Sequence, residues 1–296
     1  MKIQLSGMIL IIIFQSAIFA GNQTKADAPD NSKYNNKLWD IIQSSNAKKK
    51  FKIKRFKKII EKHKPNLNTL NEELCGWALL HYASFYGMRN YFNLLLEKGA
   101  KPAIRTKRGD TPLHFISSAR IASGTQILLD RGVNVNEQNN AGATALHVAG
   151  HSTVVEVLNN AEANPNLFAD KNVHYPVFTK FHELDEIDMT PLMMQYGVCQ
   201  SNTYMAHLEN PDIDFSITDN HGHNLLHWAS SAGCLWNAGS PSEVNMIAPL
   251  IGKVEINQLD NYGQTPLDYA KYNKVAEYLR SKGAKLSSEL PVGIRE

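Results

Sequence analysis

The feature that most constrains this chain is a self-repeat. GWALLHYA begins at Gly76, GDTPLHFI at Gly109 and GATALHVA at Gly142, each start 33 residues after the last. GHNLLHWA at Gly222 and GQTPLDYA at Gly263 continue the motif, and DMTPLMMQYG at Asp188 stands 34 residues before Gly222. Downstream lies a second apolar stretch that ends in a turn, as in YFNLLLEKGAKP (91–102) and TQILLDRGVNVN (125–136). A fixed period of this length marks stacked supersecondary units, none of which buries its apolar face alone.

The recurring residues have physical reasons. Gly after a short polar run suits a turn that needs positive φ. Thr111, Thr190 and Thr265 are placed to cap a helix, and Pro112, Pro191 and Pro266 sit where a missing N–H costs nothing. Leu113, Leu146, Leu192, Leu226 and Leu267 supply a repeated core position, and Gly99, Gly132 and Gly283 are placed to end the second helix in the left-handed conformation. The period and the G-x-T-P-L-H-x-A signature resemble the ankyrin repeat family over residues 37–285. The resemblance implies an all-α fold, an ankyrin-repeat solenoid of helix–turn–helix units with β-turn fingers. It also implies that His81, His114, His147 and His227 tie the finger turn to the first helix.

The expected organisation is a repeat domain over 36–285, with units starting near 73, 106, 139, 185, 219 and 260. Residues 37–68 lack the TPLH element and read as a capping helix pair, with Trp39, Ile41, Ile42, Phe51, Phe56, Ile59 and Ile60 facing the stack. Polar Lys271, Lys274 and Glu277 give the last unit a wettable outer face, which a terminal repeat needs. Two spacings are long, 46 from Gly142 to Asp188 and 41 from Gly222 to Gly263. They leave 160–187 irregular, either a short extra repeat starting at 174–178 or a loop, and place an insertion around Trp236 to Ser242. Residues 286–296 form a tail.

Residues 1–20 (MKIQLSGMILIIIFQSAIFA) have one Lys, a short apolar core at Met8 to Phe14 and small residues at Ala17 and Ala20. This is a signal-peptide layout. It predicts cleavage after Ala20, a flexible linker over 21–35, and an exported protein, periplasmic or secreted. An uncleaved anchor is the alternative.

Charge is uneven. Residues 47–64 carry ten Lys or Arg and one Glu; without them and the leader, twenty basic and twenty-seven acidic residues remain. The strip is either a capping helix with a solvated Lys face or an electrostatic contact, Lys48 to Lys64, for anionic lipid or an acidic partner. No reading helix or aromatic platform points to nucleic acid.

No nucleophile elbow, phosphate loop, zinc-protease or nucleotide motif occurs, and the repeats use up the chain, so no enzyme and no cofactor are expected. In the run His221, His223, His227 the last two are four apart and could bind zinc if both were helical, but His223 lies in the turn and His227 at the repeat position, so no metal site is assigned. Of the three cysteines, Cys199 and Cys234 fall at neighbouring inter-helix turns. Repeats stack at about 10 Å, wider than the roughly 4.4–6.8 Å a disulfide takes, so the pair is either bridged with help from the insertion or two buried thiols.

The resemblance places partner contacts on finger tips and on the inner surface of the first helices. At the matching positions stand Trp77, Phe85 and Tyr86; Lys107, Arg108 and Asp110; His151; Glu186 and Met189; Asn220, His221 and His223; and Asn261, Tyr262 and Gln264. The expected role is a non-enzymatic module that binds another protein. A periplasmic protector against a toxin, or an anionic-membrane binder through 48–64, are the alternatives.

Overall fold

The computed structural model describes residues 32–44, 50–170, 188–198, 201–231 and 243–291. These divide into two compact units, one up to Pro112 and one from Leu113 onward. The first unit opens with helices α1 (Ser32–Gln43) and α2 (Lys50–His63), followed by α3 (Leu79–Phe85) and α4 (Arg89–Glu97). Helix α1 starts inside the stretch expected to be a linker. Tyr34 stacks on His63 with ring centroids 3.8 Å apart, and Asn35 donates to Thr69 Oγ1 at 3.0 Å, so residues 34 and 35 belong to the cap. Trp39, Ile41, Ile42, Phe56 and Ile60 are buried as expected, Ile59 is half-buried, and Leu38, which was not expected, is buried with them. Phe51 is not: it is 62% exposed. Its position is five residues from Phe56, and at 100° per residue that turns it to the far side of the helix.

The second unit contains α5 (Pro112–Ser118), α6 (Ala122–Leu129) and α7 (Ser152–Asn160). An antiparallel pair follows, β1 (Ala169–Asp170) with β2 (Asp188–Met189). Then come α8 (Pro191–Val198), α9 (Ser201–Leu208), α10 (Leu225–Ser231), α11 (Glu243–Ile247) and α12 (Asn273–Ser281). A continuous core joins Leu192, Met193, Tyr204, Leu226, Trp228, Ile247, Leu250, Leu267, Val275 and Leu279. The expected tail packs in part: Leu290 is buried, and Arg280 pairs with Glu289 at 3.1 Å.

Two first helices are shorter than expected. Residues 145–148 and 266–269 form turns closed by i to i+3 bonds, among them Ala149 N–H to the Leu146 carbonyl (3.4 Å) and Ala270 N–H to that of Leu267 (3.1 Å). The next residue then bonds to the preceding repeat instead of its own helix. Gly150 N–H donates to Ser117, at the end of α5, and Lys271 N–H donates to Ser230, at the end of α10. The Ser117 carbonyl thus accepts two N–H groups, from Gly150 and from Arg120 (3.2 Å each).

Four fingers share one construction. Thr106, Asn139, Asp219 and Asp260 each donate their backbone N–H to the carbonyl four residues on, and each accepts the N–H of the glycine three residues on. Their side-chain oxygens accept two more N–H groups, from residues i+2 and i+4, at 2.8–3.2 Å. The glycine takes φ of +72° to +82°, which a side chain resists. At the helix ends Gly99, Gly132 and Gly283 take the left-handed conformation as expected, and Glu162 takes it at φ +61° in the repeat that lacks the glycine.

The repeat histidines connect successive repeats within each unit. Ala78 and Thr144 N–H groups donate to Nδ1 of His81 and His147, which leaves Nε2 carrying the proton. Nε2 of His81 donates to the Ile104 carbonyl (3.0 Å) and Nε2 of His147 to that of Met189 (3.1 Å). His114 reaches Ala143 (2.8 Å) and His227 reaches Gln264 (3.3 Å) in the same way. The side chain therefore ties the start of one repeat to the finger segment of the next, not to its own finger. Where the last repeat has Asp268, the carboxylate accepts from Thr265 N–H (2.8 Å) and Ser287 N–H (2.9 Å).

A Cβ added at Gly222 would lie 2.8 Å from Asn261 Oδ1 and 3.0 Å from Asn261 N, whereas one at Gly283 meets nothing within 4 Å. Both glycines have positive φ. Gly283→Ala is therefore expected to cost about 1 kcal/mol from backbone strain alone. Gly222→Ala is expected to cost about 1–3 kcal/mol more, because the neighbouring finger must move. Denaturant melts of the two variants check the order, and equal losses would contradict the finger contact.

Candidate protein-interaction surface

The first unit gathers aromatic side chains around α3. Trp77 and Phe85 lie 5.3 Å apart by ring centroid, Phe85 and Tyr86 5.0 Å, and Tyr82 and Tyr86 4.5 Å. Tyr86 is exposed, while Trp77 and Phe85 are half-buried. Tyr82 was not among the expected residues; its helical spacing from Tyr86 is the signal that finds it. Burial pushes the Tyr82 hydroxyl up to about 12, with Tyr86 adding to the effect. On the second finger Lys107 and Arg108 are exposed, and Lys107 pairs with Glu72. Asp110 is half-buried and donates its N–H to Thr106 Oγ1.

In the second unit two fingers meet. Asn261 N–H donates to the His221 carbonyl (2.9 Å), and Asn261 Nδ2 donates to that of Asn220 (3.1 Å). Tyr262 stacks on His221 with centroids 5.9 Å apart at 14°, and its hydroxyl lies 2.8 Å from His221 Nδ1. Asn220, Asn261 and Tyr262 are exposed, Tyr262 by 52%, and His221 is half-buried. These four side chains form one ridge. Gln264 is half-buried, and its main chain is used by Asp260 and His227.

Two expected contact residues are corrected. Met189 is buried, because β2 turns it into the core beside Leu192 and Ala169. His223 has no exposed surface. Its Nδ1 lies 2.8 Å from Asp219 Oδ2 and its Nε2 3.3 Å from Asp260 Oδ2. Trp228 Nε1 donates to Asp219 Oδ2 (3.1 Å) and the Tyr269 hydroxyl to Asp260 Oδ2 (2.7 Å). His223 thus locks the bases of the two fingers that carry the ridge. The signal for this clamp was the acidic residue at the finger base, where the earlier repeats have Thr106 and Asn139. The ring nitrogens of His223 face the two carboxylates, and those of His227 face Asn224 N–H and the Gln264 carbonyl. His151 is exposed, and its Nδ1 accepts Thr153 N–H as the cap of α7. Glu186, Cys199, Cys234 and the expected starts and insertions at 174–178 and 236–242 lie outside the described residues, as do 1–20.

Electrostatics separate the histidines. Burial alone lowers the His223 pKa, but Asp219 and Asp260 outweigh it and hold it above the ordinary value. Burial raises that of Asp260, but bonds from His223, Gln264 N–H and Tyr269 outweigh it and hold the carboxyl down at about 2. Burial pushes His147 and His227 down to about 4 and His207 to about 3. Raised His223 stabilises the fold below about pH 6.5 and loses that contribution as pH rises through its folded pKa. The depressed histidines act on the other side: unfolded they take up protons near pH 6.5, so stability falls between about pH 6.5 and pH 4. For the fully buried His147 and His207 the loss by pH 4 is on the order of 3 kcal/mol each. His207 Nε2 meets no hydrogen-bond partner among the described residues. His207→Leu is therefore expected to melt no lower than wild type at pH 7 and to lose less stability on acidification. Thermal melts across that window check this, and an unchanged acid slope would refute it.

Residues 80–169 match the family model for ankyrin repeats in three copies. The chain is 29% identical over 165 residues to the transient receptor potential channel pyrexia of Drosophila melanogaster, covering 54% of this chain and 15% of the relative. It is 26% identical over 217 residues to the B-cell lymphoma 3 protein homolog of Mus musculus, covering 71% and 43%. The chain thus spans less than half the length of either relative. The crystal structure of the ankyrin repeat domain of Bcl-3 superimposes with a TM-score of 0.56 at 18% identity, covering 87% of this chain and all of that one. Ankyrin repeats are in general protein–protein interaction modules. The chain carries ankyrin repeats, and its fold is that of an ankyrin repeat domain.

Proposed function

We propose that this chain is an exported, non-enzymatic protein that recognises another protein, and that the ridge of Asn220, His221, Asn261 and Tyr262 makes the contact in its second unit. The observation that carries this is Tyr262, more than half exposed yet fixed by stacking and a hydroxyl contact on His221. An aromatic already held in place loses little rotamer entropy on binding, and Tyr is common among the residues that dominate interfaces. The amides of Asn220 and Asn261 beside it are held as well, Asn220 Oδ1 accepting Asp188 N–H (3.1 Å) and Asn261 Nδ2 donating to the Asn220 carbonyl. Met189 and His223 drop out of the contact surface because they are buried. Lys107, Arg108 and Tyr86 are further exposed candidates on the first unit.

Export rests on the layout of residues 1–20. N-terminal sequencing of the protein from its source is expected to read from Gly21; a start at Met1 would remove the cleaved-signal reading.

Affinity capture from the compartment the protein occupies, followed by mass spectrometry, tests the ridge. Tyr262→Ala is expected to weaken the captured partner's Kd by roughly 30-fold, the scale of a 2 kcal/mol interface anchor. His221→Ala is expected to weaken it by less. Thermal melts should stay near wild type, because both side chains lie outside the core. Undiminished capture by the double variant would overturn the assignment of the ridge.

A further inference from the structure

The outer face of α2 carries a stripe that neither the repeat stack nor the finger ridge uses. Phe51, Lys54, Arg55, Lys58 and Lys62 stand at i, i+3, i+4, i+7 and i+11, which places them along one side of a helix. All five are exposed. The opposite side, with Phe56 and Ile60, is buried in the first unit. Glu61 does not neutralise the stripe, because it pairs with Lys98 at 2.8 Å and lies 3.9 Å from Lys57. Phe51 is the most exposed of the large exposed hydrophobic side chains among the described residues. A capping helix needs no aromatic on its wet face.

We propose that this stripe docks the protein on the surface of an anionic phospholipid bilayer, independently of the finger ridge. Four cations on one helical face match a diffuse negative surface, and each strengthens the attraction by about fivefold. Three of the four are lysines, compact and strongly hydrated charges that suit a headgroup layer better than the planar fork that arginine brings to a paired carboxylate. Phe51 supplies what an acidic protein would not require, an apolar ring at the edge of the cations that enters the headgroup boundary. The apolar side of α2 is occupied by the fold, so the attachment is peripheral and sensitive to salt.

Co-sedimentation of the full chain with vesicles of phosphatidylcholine, alone or mixed with phosphatidylserine, tests this. The apolar residues 8–14 are present in every variant, so any binding they cause is common to all. Binding that requires phosphatidylserine is expected, with loss at high salt. The triple variant Lys54→Glu, Arg55→Glu, Lys58→Glu is expected to weaken it by about a hundredfold or more. Lys54→Gln with Lys58→Gln should give an intermediate loss, and Phe51→Ser a loss of a few fold. Circular dichroism melts of each variant should match wild type, since these side chains bury nothing. Pelleting that ignores phosphatidylserine, or a triple variant that binds like wild type, would overturn the proposal. So would retention on immobilised polyglutamate with no vesicle binding, which would make the stripe a site for acidic protein.

Discussion

The interaction on which the architecture depends is the hydrogen bond from a buried imidazole to the next finger segment. A buried carbonyl without a partner costs free energy comparable to a lost hydrogen bond, and each finger exposes its main chain to the core beside it. The histidine resolves this with one side chain that accepts at Nδ1 from the N–H three residues before it and donates at Nε2 across the repeat boundary. Only a neutral imidazole offers both functions at once. Burial that keeps His147 and His227 neutral is therefore part of the joint, not a by-product of it.

The same joint explains how the stack tolerates insertions. In the second unit His114, His147 and His227 reach carbonyls 29, 42 and 37 residues ahead. Relative to the first, the increments of thirteen and eight match the extra residues in the two long repeats. The anchors stay equivalent while chain is added between them. At the end of the domain the partner changes from a carbonyl to the N–H of Ser287, and the residue changes from histidine to Asp268, an acceptor that fits it.

Much of this was legible in the residues. The period, the glycines and the TPLH elements contain the helix pairs and the finger turns, because those depend on local geometry. Phe51 was misplaced because a run rich in Lys, Ile and Phe supports more than one apolar face, and only packing decides between them. The shortened turns at 145–148 and 266–269 were hidden for a related reason: the bonds from Gly150 and Lys271 to the preceding helix are made across repeats. His223 and Met189 occupy positions in the motif next to exposed neighbours, and a one-residue difference in direction separates tip from base.

That difference has a structural consequence at the two last fingers. A tip can hold Tyr262 and His221 in fixed orientation only if its base resists rotation. In the earlier fingers one neutral oxygen, from Thr106 or Asn139, accepts the two turn N–H groups. Asp219 and Asp260 do this with one carboxylate oxygen each and keep the second for His223. An acidic base is costly to bury unless paired. The shared histidine supplies the pairing for both, and Trp228 and Tyr269 complete the bonds to the same oxygens. Charge placed at the base, away from solvent, thus couples two turns that would otherwise move separately. The side chains above them add to that rigidity, since Tyr262 stacks on His221 and Asn261 Nδ2 donates to the Asn220 carbonyl.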